Sequence, residues 1–324
     1  MGAFSHHEKR GWFAVHARIV CAGMLLLMAN QVPAEEQRTS QDVLQADLSE
    51  GGADTCLSCH NDPTMQVIFR TPHGQQVNPD SPMAQLQCEA CHGPGARHAD
   101  RRQPRPGHQP VTDFGTEALS SVETQNAVCM DCHSNDVTLA WRGSVHERNE
   151  TSCASCHQVH VRADPVSLQT RQAEVCFKCH QRERADSLKP SSHPIRFNEM
   201  ICGDCHSPHA SVSGGQLTRD TTNELCLGCH AEFRGPVLFE HAPVSENCSL
   251  CHFPHGSIHP ALLTRRPPLL CQSCHSSRGH PSVSFTENGL AAGNPSAMVL
   301  ERSCMNCHTK IHGSNHPSGI NLMR

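Results

Sequence analysis

Apolar positions along this chain are sparse and seldom periodic. The one long apolar run is Ile19 to Met28, about half of the roughly 20 residues a spanning helix needs. Lys9, Arg10 and Arg18 precede it, and Val32-Pro33-Ala34 follows with small residues where a signal peptidase reads. That order is the n-region, h-region and cleavage site of a secretory signal. The cut is placed after Ala34, so 1–34 is the signal peptide; a buried N-terminal helix is the plainer alternative. Cys21 lies inside the run behind a poor lipobox, Arg18-Ile19-Val20, and is expected to leave with the signal. Residues 35–55 are polar. Beyond them the pattern predicts short helices, such as Gln172-Ala-Glu-Val and Thr222-Asn-Glu-Leu, in a chain dominated by loops with almost no β structure. Gly93 to Gly115, rich in Pro, Gly and Arg, reads as an irregular insertion.

Composition sharpens the problem of a core. Leu, Ile, Val and Phe make up about 18.5% of the 324 residues, below the roughly 20% at which a chain struggles to build an ordinary interior. The net charge is only −5, so self-repulsion and simple disorder do not account for the deficit. Without the signal the net charge is −7, from 23 basic and 30 acidic residues. The charges are too balanced for a nucleic-acid protein, and no basic helix or aromatic-studded stripe appears. Something other than side chains must supply apolar packing.

The cysteines identify it. Of 21, all but Cys21 fall in ten copies of C-x-x-C-H. The cysteine pairs are Cys56 and Cys59, Cys88 and Cys91, Cys129 and Cys132, Cys153 and Cys156, and Cys176 and Cys179. The rest are Cys202 and Cys205, Cys226 and Cys229, Cys248 and Cys251, Cys271 and Cys274, and Cys304 and Cys307. This is the attachment signature of c-type haem. Two thiols add to the two vinyl groups of one porphyrin, and the next residue then lies under the ring as an iron ligand. The proximal set is His60, His92, His133, His157, His180, His206, His230, His252, His275 and His308. Zinc ribbons and redox dithiols also use C-x-x-C but do not need the following His. With His at about 8% of residues, ten chance occurrences carry a probability on the order of 10⁻¹¹. Ten haems c are expected. As rigid, mostly apolar discs they replace the missing Leu and Phe, and folding should depend on their attachment.

The remaining histidines recur. Taken in pairs, the motifs form five dihaem repeats across 56–324, roughly two pentahaem halves at 56–190 and 191–324. Between the motifs of each repeat lie His73, His146, His193, His241 and His280; after the second motif lie His98, His160, His209, His255 and His312. That is ten distal candidates for ten irons. A His three residues beyond a proximal one cannot reach the other face of the same ring, so it should serve a neighbouring haem. Which serves which stays open. His108, His259 and His316 are left over, with His316 a substitute candidate for His312. The ten Met do not recur in the repeats and read as packing. Bis-His ligation implies low potentials.

With some 20–30 residues per haem, there is too little protein to hold the cofactors apart. An elongated haem wire is expected. A compact globule of the exported chain would have a radius of gyration of about 19 Å.

At this point the sequence resembles the decahaem cytochromes of outer-membrane porin–cytochrome conduits, the MtrA, MtoA and PioA group within the DmsE-type cytochromes. The matching stretches run from Asp54 to the C-terminus. They include LQCEACHGPGARH (Leu86 to His98), CASCHQVHV (Cys153 to Val161), SSHP (Ser191 to Pro194), CHAEFRGPVLFEHAPVSENC (Cys229 to Cys248) and HGSNHPSG (His312 to Gly319). A short N-terminal extension argues against the phototrophic branch. The resemblance implies an electron-transfer protein, not an enzyme, conducting electrons between periplasm and cell exterior for iron reduction or Fe(II) oxidation. Its implied partners are an MtrB- or PioB-like outer-membrane β-barrel porin, periplasmic cytochromes and, as a further candidate, an extracellular multihaem cytochrome. No nucleic acid and no direct lipid contact are expected: so polar a chain would need a closed barrel around it in hydrocarbon. The alternative is a soluble periplasmic carrier feeding a terminal reductase. A multihaem enzyme would need an open or unusual axial site, and metal storage by three scattered His lacks a cluster.

Overall fold

The computed structural model describes residues 47–102, 110–134, 140–209, 211, 213–275 and 304–323. The signal peptide, the first part of the polar segment, His108 and His280 lie outside the described residues.

Among the described residues there is no β-strand, only four isolated antiparallel bridges, and helices are one or two turns long. The longest, Val122–Met130, has nine residues and starts at Ser121, whose hydroxyl accepts from Thr124 N–H. Both expected helices are present, at Gln172–Cys176 and Thr222–Leu227. The second opens with a reciprocal capping box between Thr221 and Glu224, which satisfies two otherwise orphaned N–H groups. No described helix is long and apolar enough to cross a membrane.

The recurring element is the motif itself. In all ten, the His N–H donates to the carbonyl of the first Cys, at 2.9–3.1 Å. Each motif is thus one closed helical turn. Residues three and four apart share a helix face, so the turn points both sulfurs and the imidazole the same way.

Amide side chains join the two turns of a repeat. Asn126 accepts from Cys153 N–H at 2.8 Å and donates to Thr151 O. Asn223 accepts from Cys248 N–H at 2.8 Å and donates to Val244 O. Gln172 accepts from Gly203 N–H at 2.8 Å, and Gln87 from Ala53 N–H at 2.6 Å. In each case an amide just ahead of one motif grips the backbone at the start of its partner motif.

The third and fourth repeats close alike. His206 bridges Leu217 and His252 bridges Leu263, and Ser211 and Ser257 hydroxyls donate to the Leu217 and Leu263 carbonyls. The insertion after the second motif is tied down less regularly. Buried Glu89 accepts from Gly95 N–H at 2.7 Å and from both the backbone N–H and the hydroxyl of Ser49 at 2.9 Å. A four-residue helical turn, Ala96–Ala99, lies within it.

Side chains do not make a core. Among the described residues, Ala53, Met83, Trp141 and Val175 are the buried hydrophobics, and no large side chain is wholly shut off. The interior is instead a cavity of about 3580 Å³. It runs past attachment turns from Cys56 to Cys271 and reaches Met305 of the tenth motif. A single small-ligand pocket occupies roughly 300–1,000 Å³, so this space suits a row of large apolar groups.

Candidate metal centres

Nine proximal histidines each face one of the other histidines, and eight of these pairs line the cavity. The pairs, by ring-centroid separation, are His60 with His98 at 6.3 Å, His92 with His160 at 6.4 Å, His133 with His73 at 5.9 Å and His157 with His209 at 5.8 Å. They continue with His180 and His146 at 6.2 Å, His206 and His255 at 5.9 Å, and His230 and His193 at 6.4 Å. His252 and His312 lie at 6.2 Å, and His275 and His241 at 6.1 Å. Other ring contacts here spread more widely, from 4.2 Å for Phe233 and His312 to 6.3 Å for Trp141 and His146 and for His230 and Phe233. Two imidazoles sharing one metal, each with a metal–nitrogen bond of about 2 Å, place their centroids about 6.3 Å apart. The donor set therefore fits an iron bracketed by two nitrogens.

The pairing follows a rule. A His lying between two motifs reaches forward: His73, His146, His193 and His241 face the first motif of the next repeat. A His after a second motif reaches backward, so that His160 faces His92, not the adjacent His157. His312, not His316, faces His252; His316 instead accepts from the Ser318 hydroxyl at 2.7 Å. His259 uses its backbone N–H on Ser257.

Ring orientation is set by Nδ1. His92, His206, His252 and His308 lie with Nδ1 2.6–2.8 Å from the carbonyls of Thr112, Gly215, Ala261 and Asn321. His157 Nδ1 lies 2.6 Å from the Asp164 carboxylate. With iron on Nε2, Nδ1 carries the proton and donates. Three distal candidates are held from a neighbouring centre. His146, His193 and His241 use the carbonyls of Pro208, Pro254 and Ile311, at 2.8, 2.7 and 3.1 Å. Those carbonyls immediately precede His209, His255 and His312.

Burial, and then the facing proximal ring, pushes His73, His160, His209, His255 and His312 below the ordinary His range. That favours the neutral imidazole, the form that ligates metal.

The attachment turns form one file. First cysteines are electrostatic neighbours across each repeat: Cys56 with Cys88, Cys129 with Cys153, Cys176 with Cys202, Cys226 with Cys248 and Cys271 with Cys304. Second cysteines are electrostatic neighbours between repeats: Cys91 with Cys132, Cys156 with Cys179, Cys205 with Cys229 and Cys251 with Cys274. A hydrogen bond to the partner sulfur, then burial, raises Cys129 and Cys176 above the ordinary thiol range. Thioether formation would end that titration. The alternation links motif one to motif ten in chain order without a gap.

Three residue types were not singled out from sequence. The clamping amides are one. Glycines after distal candidates are another: a Cβ at Gly74 would lie 1.9 Å from Ile68 O, at Gly256 2.0 Å from Asp186 O, and at Gly313 2.8 Å from the Val237 side chain. The recurring His-Gly dipeptide could have flagged them. The third is Trp141, which stacks on His146 at 6.3 Å and meets His209 edge-on at 6.2 Å.

Comparison with known proteins places the chain among c-type cytochromes. Residues 88–173 match the model of cytochrome c-type NrfB-like proteins, 193–235 and 241–280 the doubled CXXCH motif, and 28–93 cytochrome c554 and c-prime. The multiheme cytochrome MtrA of Shewanella baltica (strain OS185) is 46% identical over 300 residues, covering 91% of this chain and 89% of that protein. The cytochrome c-type protein NrfB of Haemophilus influenzae is 30% identical over 134 residues, 37% of this chain and 56% of that one.

Proposed function

Since the chain belongs to the MtrA family of multihaem cytochromes, and so carries multiple c-type haems and transfers electrons, we propose that it is a transmembrane electron conduit. Seated in an MtrB-like outer-membrane β-barrel, it passes electrons between periplasmic cytochromes and an extracellular donor or acceptor such as iron. The observation that carries the reading is the unbroken file of ten attachment turns. Each bound haem supplies a one-electron ferric/ferrous couple and an apolar ring through which electrons pass to the next.

The chain's own residues do the rest. The closed C-x-x-C-H turns fix each ring by two sulfurs and one imidazole. The nine facing pairs would supply two nitrogens to each of nine haems, and the sequence offers His280, outside the described residues, as the tenth distal candidate. Two nitrogens at each of these nine irons would leave no vacancy there for substrate, which favours a carrier over an enzyme. The carbonyls behind Nδ1 hold the rings against rotation, so little has to move when an electron arrives. A chain crossing the outer membrane in this form needs a barrel around it, since among the described residues no helix is long and apolar enough to span hydrocarbon.

Reconstitution with the partner barrel in liposomes tests this. External reductant should reduce an internal acceptor only when both proteins are present; no internal reduction refutes the conduit. A soluble periplasmic carrier is the second reading. It draws on the match to NrfB, which covers about half of that protein and shows that such repeats are shared with another c-type cytochrome. Recovery from cells only as a soluble monomer would favour it.

A further inference from the structure

The five even-numbered motifs anchor their proximal histidines alike, with one exception. His92, His206, His252 and His308 meet backbone carbonyls, whereas His157 meets Asp164. The Asp164 Oδ2 lies 2.6 Å from His157 Nδ1, and Oδ1 accepts from Gln158 N–H at 3.2 Å. The carboxylate thus spans the ring and the residue after it. Its own backbone is pinned: Pro165 opens a short 3-10 turn, and the Asp164 carbonyl accepts from Ser167 N–H at 3.0 Å. The Asp164 side chain is 21% exposed. Two other carboxylates approach proximal rings, Glu232 to His230 at 3.4 Å and Glu183 to His180 at 3.8 Å. Both distances are too long for a strong hydrogen bond.

A carboxylate is a stronger acceptor than a carbonyl. It draws the Nδ1 proton, makes Nε2 a better donor to metal, and adds a full negative charge near the centre. Each effect stabilises the ferric over the ferrous state. We propose that Asp164 is a positioning residue that sets the potential of the haem on the fourth motif below those of the other even-numbered motifs. This rests on the reading that His157 and His209 are the axial pair of that haem. The file then has a low-potential step within its first half, built by one side chain.

The test uses the full exported protein with Asp164→Asn, which keeps the shape and removes the charge, and Asp164→Glu, which keeps the charge. Intact mass counts haems, and electron paramagnetic resonance checks that all are low-spin. Potentiometric titration should show chiefly one of the ten one-electron steps moving to higher potential in D164N, with D164E returning toward the parent. A D164N titration that superimposes on the parent overturns the proposal, as does a D164E shift as large as that of D164N. If D164N attaches fewer haems, near-infrared magnetic circular dichroism of the parent decides. One porphyrin-to-iron charge-transfer band displaced from the rest supports the assignment, and coincident bands overturn it. A high-spin centre in the parent would instead fault the axial pairing beneath it.

Discussion

Replacing Gly256 by alanine strikes two proposed centres through one methyl group. Gly256 follows His255, the partner of His206, and Pro254 supplies the carbonyl that holds His193, the partner of His230. Its backbone sits at φ +148°, and an added Cβ would lie 2.0 Å from Asp186 O and 2.8 Å from Asp186 C. Ordinary contact begins near 3.4 Å, so the loop or the Gln181–Ser187 helix end must retreat by about 1.4 Å. The positive φ alone costs about 1–3 kcal/mol for a residue with a side chain. The two backbone hydrogen bonds between Ser191 and Ser257, at 3.1 and 2.7 Å, resist the retreat because they tie the same loop to its neighbour. A metal–nitrogen bond of about 2 Å does not survive a displacement of that size. The expected result is loss of a low-spin signal and appearance of high-spin iron in electron paramagnetic resonance, with ten haems still attached by mass. Gly214→Ala is the control, since a Cβ there meets nothing within 4 Å, and it should leave the spectrum unchanged. A Gly256→Ala protein whose spectrum and redox titration match the parent would refute the reasoning.

Asn223→Ala should lower thermal stability or haem incorporation in the repeat of motifs seven and eight. It strands Cys248 N–H and Val244 O, both part-buried, so the cost stays below the about 1–3 kcal/mol of a fully buried unpaired group. Calorimetry and intact mass check this, and an unchanged melting temperature with full haem content counts against the clamp. The ring planes of His146 and His180 cross at 87°, whereas those of His157 and His209 lie within 16°. If both are axial pairs, the low-spin spectrum contains two classes, near-perpendicular and near-parallel. A single homogeneous class would remove that support for the pairing.

What could be read from the chain, and what could not, divides along distance in sequence. The attachment turns are local: sulfur, sulfur and imidazole must sit three and four residues apart for one helical turn to present them together. Ten copies therefore declare ten sites with no knowledge of the fold. The scarcity of Leu and Phe was legible for the same reason, since composition needs no contacts, and the nearly empty list of buried hydrophobics follows from it. The axial partners are a different problem. His160 stands three residues from His157 and faces His92, while His73 reaches forward to His133. Exclusion from the adjacent ring was arguable from chain geometry, but the choice among remaining rings depends on how repeats stack. That stacking is set by contacts with no composition signature: Asn126 on Cys153, Asn223 on Cys248, the carbonyls ahead of three distal histidines.

Those carbonyls bear on how the file behaves as one object. Pro208, Pro254 and Ile311 each sit directly before the distal candidate of one centre and accept from the distal candidate of the next. The two ligands cannot move independently, because the peptide between them is shared. Neighbouring centres in adjacent repeats are thereby fixed to one another by backbone and not by exchangeable side chains. Within a repeat the amide clamps join the two attachment turns, as Asn126 on Cys153 N–H and Asn223 on Cys248 N–H. Order along the file is then maintained by amide-to-backbone clamps inside repeats and by imidazole-to-carbonyl bonds at the last three junctions between repeats. A chain so poor in apolar side chains can still hold a rigid register, since every link runs through an attachment turn or a ligand that the cofactor itself locks in place. It follows that the register is a property of the haem-loaded protein, and that a chain expressed without haem attachment should show no cooperative unfolding transition in calorimetry. A sharp transition in such a chain would mean that side-chain packing contributes more than the four buried hydrophobics among the described residues suggest.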